Sequence, residues 1–183
     1  SFLKKEGAVE PNITAGLSNT FRYKNWELST LITAQAGNKL RKPDQYSIDY
    51  NDLSVFPKEM RNRWIQPGDE HITNIPGIAD KRTVNEIGYR TLRRVYNAYN
   101  YSSERVVDGS FVRMKNISLS YTFPKEVLEQ LKVNNLTLRL QAANPFLIYS
   151  DKNLNGQDPE FFRSGGVAYP VTAQYTFTIN LGI

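Results

Sequence analysis

The stretch DKNLNGQDPE, Asp151 to Glu160, sets oxygen-bearing side chains at alternate positions: Asp151, Asn153, Asn155 and, past Gly156, Asp158. A calcium loop begins this way, with ligand oxygens two residues apart and a glycine at the sharp bend. The pattern fails at its last place, where Phe162 stands instead of a bidentate Glu. Asp158 and Glu160 could also pass for the carboxylate pair of a glycosidase. They sit two apart with Pro159 between them, and no second acidic cluster supports them. The expectation is a loop closed by hydrogen bonds to its own carboxylates, with no metal, no cofactor and no catalytic residue. His71 is the only histidine, so any triad would have to be built on it, and it reads as a solvated loop residue. The absence of cysteine excludes a thiolate nucleophile, a thiolate metal site and a disulfide framework.

A second set of residues could recognise rather than react. Tyr46, Tyr50, Phe56, Trp64, Tyr89, Tyr96, Tyr99 and Tyr101 crowd one region with no strand alternation. Such rings could stack on a sugar or a peptide, grip a partner, or pack the region on itself. Trp64 is the strongest single anchor, because Arg61 and Arg63 flank it.

Composition bounds the class that must position these groups. The chain has 183 residues, 40% hydrophobic, 12% aromatic and 22% charged, a globular rather than disordered balance. The net charge of +5 is mild, and basic residues are interspersed with acidic ones, which argues against nucleic acid. No run nears the ~18 apolar residues of a membrane helix. The opening SFLKKEGAVEPNITAG has no apolar core of a secretory signal, so Ser1 is expected not to be the natural N-terminus.

Period-two alternation is the dominant pattern. In the last stretch, 171–183, Tyr175, Phe177, Ile179 and Leu181 fall on one face, with Thr176, Thr178 and Asn180 on the other. Strands are also expected at about 12–23, 26–36, 110–123 and 135–146. In the third, Arg113 and Lys115 share the parity of Phe111, Ile117, Leu119 and Tyr121. Such lengths suit a tilted bilayer crossing, which takes about 9–11 residues, better than a sandwich strand. Connections alternate: Lys24-Asn25 and PKEVLEQLKVNN are short, whereas 37–109 and 147–170 are long. Short helices are expected around 83–98, where Val84, Ile87, Thr91 and Val95 are helically spaced, and in DLSVFPKEMRNRW. Tyr23, Trp26, Tyr121 and Phe123 cluster at the short-turn ends, as aromatics do at a membrane–water boundary.

Several longer strings carry a family resemblance: GLSNTFRYKNWELSTLITAQAGNKL, RNRWIQPGDEHITNIP, VVDGSFVRMKNISLSYTFPKEVLEQLKVNNLTLRLQAANPFLI, NGQDPEF and GGVAYPVTAQYTFTINLGI. Together they resemble the C-terminal part of SusC/RagA-type TonB-dependent transporters of the Bacteroidetes outer membrane. The family usually ends in Phe, whereas this chain ends in Ile183. The resemblance implies an all-β fold: the last five strands of an antiparallel transmembrane barrel of about 22 strands around a plug. The plug and the earlier strands would lie upstream. It implies a non-enzymatic role in TonB-dependent uptake of a glycan or peptide. The implied partners are the rest of the barrel, a SusD-like surface lipoprotein, TonB and outer-membrane lipid, which Tyr175, Phe177, Ile179 and Leu181 would face. A soluble carbohydrate-binding β-sandwich and a passive porin are the alternative readings.

Overall fold

The computed structural model describes residues 4–44, 46–47, 56–160 and 172–183. In chain order its elements are β1 (Ile13–Tyr23), β2 (Trp26–Ala36), β3 (Lys39–Arg41), α1 (Lys81–Ile87), α2 (Tyr89–Asn100), β4 (Val106–Asp108), β5 (Phe111–Thr122), α3 (Lys125–Leu131), β6 (Asn135–Ser150) and β7 (Gln174–Gly182). They divide into two compact units. A sheet unit comprises Ala8–Asn38, Gly109–Asp151 and Tyr169–Ile183, and a loop unit is built mainly from Lys39–Asp108.

The sheet unit is one antiparallel sheet in the order β1-β2-β5-β6-β7. Its register carries each apolar residue across from strand to strand. Phe21, Leu28, Leu119, Leu140 and Phe177 form one row through all five strands. Tyr23, Trp26, Tyr121, Leu138 and Ile179 form the next on that face. The rows between them are polar: Arg22, Glu27, Ser120, Arg139 and Thr178, then Thr20, Ser29, Ser118, Gln141 and Thr176. On the polar face Arg22 Nε donates to Glu27 at 2.6 Å and Arg139 Nε to Ser120 Oγ at 3.1 Å.

The apolar face is not covered, and neither is the polar one: β1 is exposed along its whole length. Leu17, Phe21, Phe177, Ile179 and Leu181 are each 55–59% exposed. A soluble antiparallel sheet turns such a face onto a core. A continuous apolar patch of this kind marks contact with lipid or another surface.

One discontinuity keeps the two faces distinct. The β2–β5 register slips between Leu31, opposite Asn116, and Ile32, opposite Met114, so Lys115 is an extra residue in β5. Simple alternation puts Arg113 on the face of Ile117 and Leu119. The bulge corrects that, because one added residue exchanges the faces of everything beyond it. Arg113 pairs with Thr33 on the polar face, while Met114 and Val112 pair with Ile32 and Ala34 on the apolar one. Strand β6 has a matching irregularity, with Asn144 at φ 49°, and so keeps Phe146 opposite Met114.

The short connections close tightly. Lys24 takes φ 52° in the β1–β2 turn, and Asn25 Nδ2 donates to Thr122 O at 2.8 Å, tying that turn to the end of β5. Trp26 and Tyr121 pack with ring centroids 4.7 Å apart, and Tyr121 meets Phe123 edge-on at 5.0 Å. Helix α3 follows Pro124 and ends at Lys132, φ 57°. Val171, in the stretch expected to form the last strand, lies outside the described residues.

Inserting one Ala between Arg113 and Met114 should move Arg113 onto the apolar face, at a cost of up to about 2–4 kcal/mol if that face meets lipid. The expected outcome is loss of the heat-modifiable folded band on gels. Wild-type yield of that band would show that the bulge does not set the parity.

Candidate functional site

The loop unit has its own base and core. At its base β3 and β4 pair as a short antiparallel ribbon, with Lys39 opposite Asp108 and Arg41 opposite Val106. Leu40, Val107 and Leu154 form a small buried cluster. Beside it Arg105, whose side chain is 2% exposed, donates from Nη1 to Glu59 Oε1 at 2.6 Å and from Nη2 to Pro43 O at 2.6 Å. Lys42 Nζ and Asn155 Nδ2 both donate to Glu59 Oε2, at 2.9 and 3.0 Å. Burial works to raise the Glu59 carboxyl, but hydrogen bonds and charge from Lys42 and Arg105 outweigh it and hold the group below its usual range. This one carboxylate joins three stretches of chain: Lys42-Pro43, Arg105 and Asn155.

The main core of this unit collects Tyr46, Met60, Leu92 and Tyr96, with Ile75, Ala79, Val84 and Tyr99 packed against it. Asp80 caps α1, accepting from Thr83 N at 2.7 Å, and hydrogen bonding from the Thr83 side chain first, then from that N–H, draws its carboxyl below the ordinary value. Gly88, at φ 86°, separates α1 from α2. The expected apolar stripe Val84–Ile87–Thr91–Val95 crosses this break, so it does not form one face. The buried residues of α2 are instead Leu92, Tyr96 and Asn100, spaced one turn apart. The expected second helix is a short 3-10 turn, Lys58–Asn62.

The candidate recognition residues separate into two groups. Tyr46 and Tyr96 are 5% and 4% exposed and stack at 4.9 Å. Asn100 Nδ2 donates to Tyr46 O at 3.0 Å. The Tyr46 hydroxyl donates to Pro76 O. The Tyr96 hydroxyl accepts from Ala79 N at 2.7 Å and donates to Gly77 O at 3.1 Å, and burial pushes its pKa up. Both are held in the core of the unit, so neither ring has a face open to a ligand. Phe56, Trp64 and Tyr89 are at the surface, 39–45% exposed. Tyr50 lies outside the described residues. Trp64 is presented by a fixed turn: its N–H donates to Ile75 O at 2.9 Å and its indole donates to Gln66 O. Asp69 closes that turn by accepting from Ile65 N and Gln66 N at 2.9 and 3.0 Å, which lowers its pKa. Gly68 occupies a left-handed position there, φ 103°.

The calcium-like stretch behaves as a self-bonded loop. Lys152–Leu154 is a 3-10 turn, and Asn155 and Gly156 follow at φ 54° and 85°. Asp158 Oδ1 accepts from Glu160 N at 3.0 Å, and the Asn155 amide is directed to Glu59. Among the described residues no group of three or more His, Asp or Glu side chains gathers to hold a metal. Phe162 lies outside the described residues, and His71 is exposed. Sequence reasoning missed the Glu59–Arg105 pair, since nothing local connects residues so far apart.

The class defined by these features is an antiparallel sheet of long strands, apolar and exposed on one face and polar on the other, with a folded insertion between two of its strands. Known proteins of that class match the chain. It is 28% identical over 163 residues to TonB-dependent receptor P39 of Formosa agariphila, covering 87% of this chain and 14% of the relative. It is 26% identical over 154 residues to TonB-dependent receptor P3 of the same organism, covering 84% and 13%. The chain therefore spans about one-seventh of the length of these curated relatives. It shares the fold of part of the RagAB peptide importer, solved in 'open-open' and 'closed-closed' states, with a TM-score of 0.65 and 22% identity over 98% of this chain and 18% of that one. No family model matches. Over most of its length, then, this is a chain similar to TonB-dependent receptors.

Replacing Arg105 by Ala should leave Glu59 buried with one strong partner fewer and weaken the loop unit by about 3 kcal/mol. Proteolysis within 42–105 should rise sharply while the sheet stays protected. Because the Glu59 pKa is lowered on folding, its contribution is present above the unfolded value of 4.5 and is lost as pH falls through the folded value. Protease protection should therefore hold from neutral pH to about 5 and decline in more acid solution. Glu59→Gln should flatten that decline, and an unchanged profile would remove Glu59 as its cause.

Proposed function

We propose that this chain forms barrel wall and part of the outer loop crown of a SusC/RagA-type TonB-dependent transporter, which takes up a glycan or peptide across the outer membrane. The observation that carries this reading is the register, which aligns exposed apolar rows and polar rows across every strand of the sheet. A bilayer requires this arrangement, since each backbone N–H must pair strand to strand and each outward side chain must be apolar. A soluble sandwich would bury those rows. Matches to proteins named TonB-dependent receptors favour active uptake over a passive porin.

In this reading the five strands close a barrel of about 22 with upstream strands, around a plug. Strand β7 runs from outside to periplasm. The Lys24-Asn25 turn and α3 then lie on the periplasmic side, and the loop unit lies outside the cell. There it contacts cargo or a SusD-like lipoprotein lid, with Trp64, Phe56 and Tyr89 as its exposed rings. TonB acts on the plug from the periplasm, and lipid covers Tyr175, Phe177, Ile179 and Leu181. The role is transport and not catalysis.

Spin labels at positions 177 and 178 of the membrane-inserted protein test the wall. Position 177 should be accessible to oxygen and 178 to a water-soluble nickel reagent. Equal accessibility at the two sites would end the barrel reading.

A second experiment tests the crown. Residues 43–104 are replaced by a short Gly-Ser linker joining β3 to β4. The barrel should still assemble, while lid association or growth on the cognate nutrient falls at least about tenfold, the loss of one hot-spot residue's worth of binding or more. Unchanged growth and lid binding would show the loop unit to be dispensable.

A further inference from the structure

The loop unit contains a pocket of about 530 Å³, within the ~300–1,000 Å³ of typical small-ligand sites. Its lining has two chemistries. Phe56, Met60 and Ile78 are apolar, and Lys58, Arg61 and Arg63 are cationic. Among the described residues no carboxylate and no side-chain amide lines it.

The pocket is built on the core. Met60 is 3% exposed and packs with Tyr46, Leu92 and Tyr96. Arg63 Nη1 donates to Met60 O at 3.1 Å, which fixes that guanidinium at the rim. Across the pocket, Ile78 sits between Gly77 and Ala79, and the Tyr96 hydroxyl bonds both of those neighbours. Both walls are therefore anchored to the same buried ring. The nearest carboxylate in sequence, Glu59, is bonded to Lys42 and Arg105. Lys58 and Arg61 make no ion pair among the described residues.

We propose that this pocket binds a peptide by its C-terminal end: the terminal carboxylate on Arg61 and Arg63, and an apolar last side chain against Phe56, Met60 and Ile78. Guanidinium forks match a carboxylate in geometry and charge, and an apolar floor of buried Met60 with the exposed Phe56 and Ile78 gives a hydrocarbon side chain apolar surface to cover. The described lining side chains offer a neutral glycan cationic donors over an apolar base, whereas its hydroxyls need acceptors as well. The inference rests on the transporter reading above and gives its cargo a chemical class.

The test is calorimetric titration of the transporter that carries this chain, purified whole in detergent. The probes are the tetrapeptide Ala-Ala-Leu-Phe, its C-terminal amide, and a trisaccharide of glucuronic acid. The free acid should bind about tenfold or more tightly than the amide, the difference made by charge-assisted bonds to one carboxylate. Arg61→Glu should weaken the acid by a similar factor and so erase its advantage over the amide, with the melting temperature of the protein unaltered. Equal binding of acid and amide would overturn the inference, as would indifference of the acid to Arg61→Glu. Binding of the uronate in place of the peptide would overturn the assigned class. If cells carrying the transporter still take up nutrient while none of these probes binds, the pocket inference falls and the transporter reading stands.

Discussion

The apolar rows of the sheet have to stay in line from strand to strand, and the rest of the sheet's construction follows from that constraint. Alternation supplies it within a strand, but only register supplies it between strands. A slip of a single residue would bring Arg139 into the row of Leu119 and Phe177. The bulge at Lys115 and its counterpart at Asn144 show how the constraint is kept where the strand sequence breaks period. The short connections serve the same end. A two-residue turn at Lys24-Asn25, held to Thr122, leaves β1, β2 and β5 little room to slide.

The loop unit is organised on a different principle. Its order comes from side chains that bond backbone across long stretches of sequence: Asn100 to Tyr46, Tyr96 to Gly77 and Ala79, Arg105 to Pro43. A short ribbon and two helices cannot bury enough surface to order so long a segment alone. Polar ties that satisfy buried carbonyls make up part of the difference. The Glu59 node is the most concentrated of them. It is also the most sensitive to loss of a member, because each partner is there to compensate a largely buried charge. The consequence for recognition is a rigid scaffold. Exposed rings such as Trp64 sit on fixed turns, and a rigid ring loses little entropy when it is covered.

Much of the sheet was legible in the sequence, and for a local reason. The residues that decide a strand's face lie two apart, so Tyr175, Phe177, Ile179 and Leu181 announce theirs without reference to any other segment. The same holds for the tight turn between Tyr23 and Trp26 and for the self-bonded loop at Asp158. Longer strings such as YTFTINLGI and SFVRMKNISLSYTFP were enough to suggest the kind of protein, because they combine face, spacing and order.

What the tertiary structure alone decided involves partners distant in sequence. Arg113 looked misplaced until pairing with Thr33 put it on the polar face, since a bulge is defined by two strands and has no signature in one. Tyr46 and Tyr96 were indistinguishable by type from Trp64 and Phe56. Their separation into core and surface came from contacts with Asn100, Pro76 and Ala79. Gly88 divided a helical period that reads as continuous, and so moved the buried face of α2 to Leu92, Tyr96 and Asn100. Glu59 and Arg105 carry no period at all. Which carboxylate meets which guanidinium is set by where the folded backbone brings them, and local sequence encodes only that both are present.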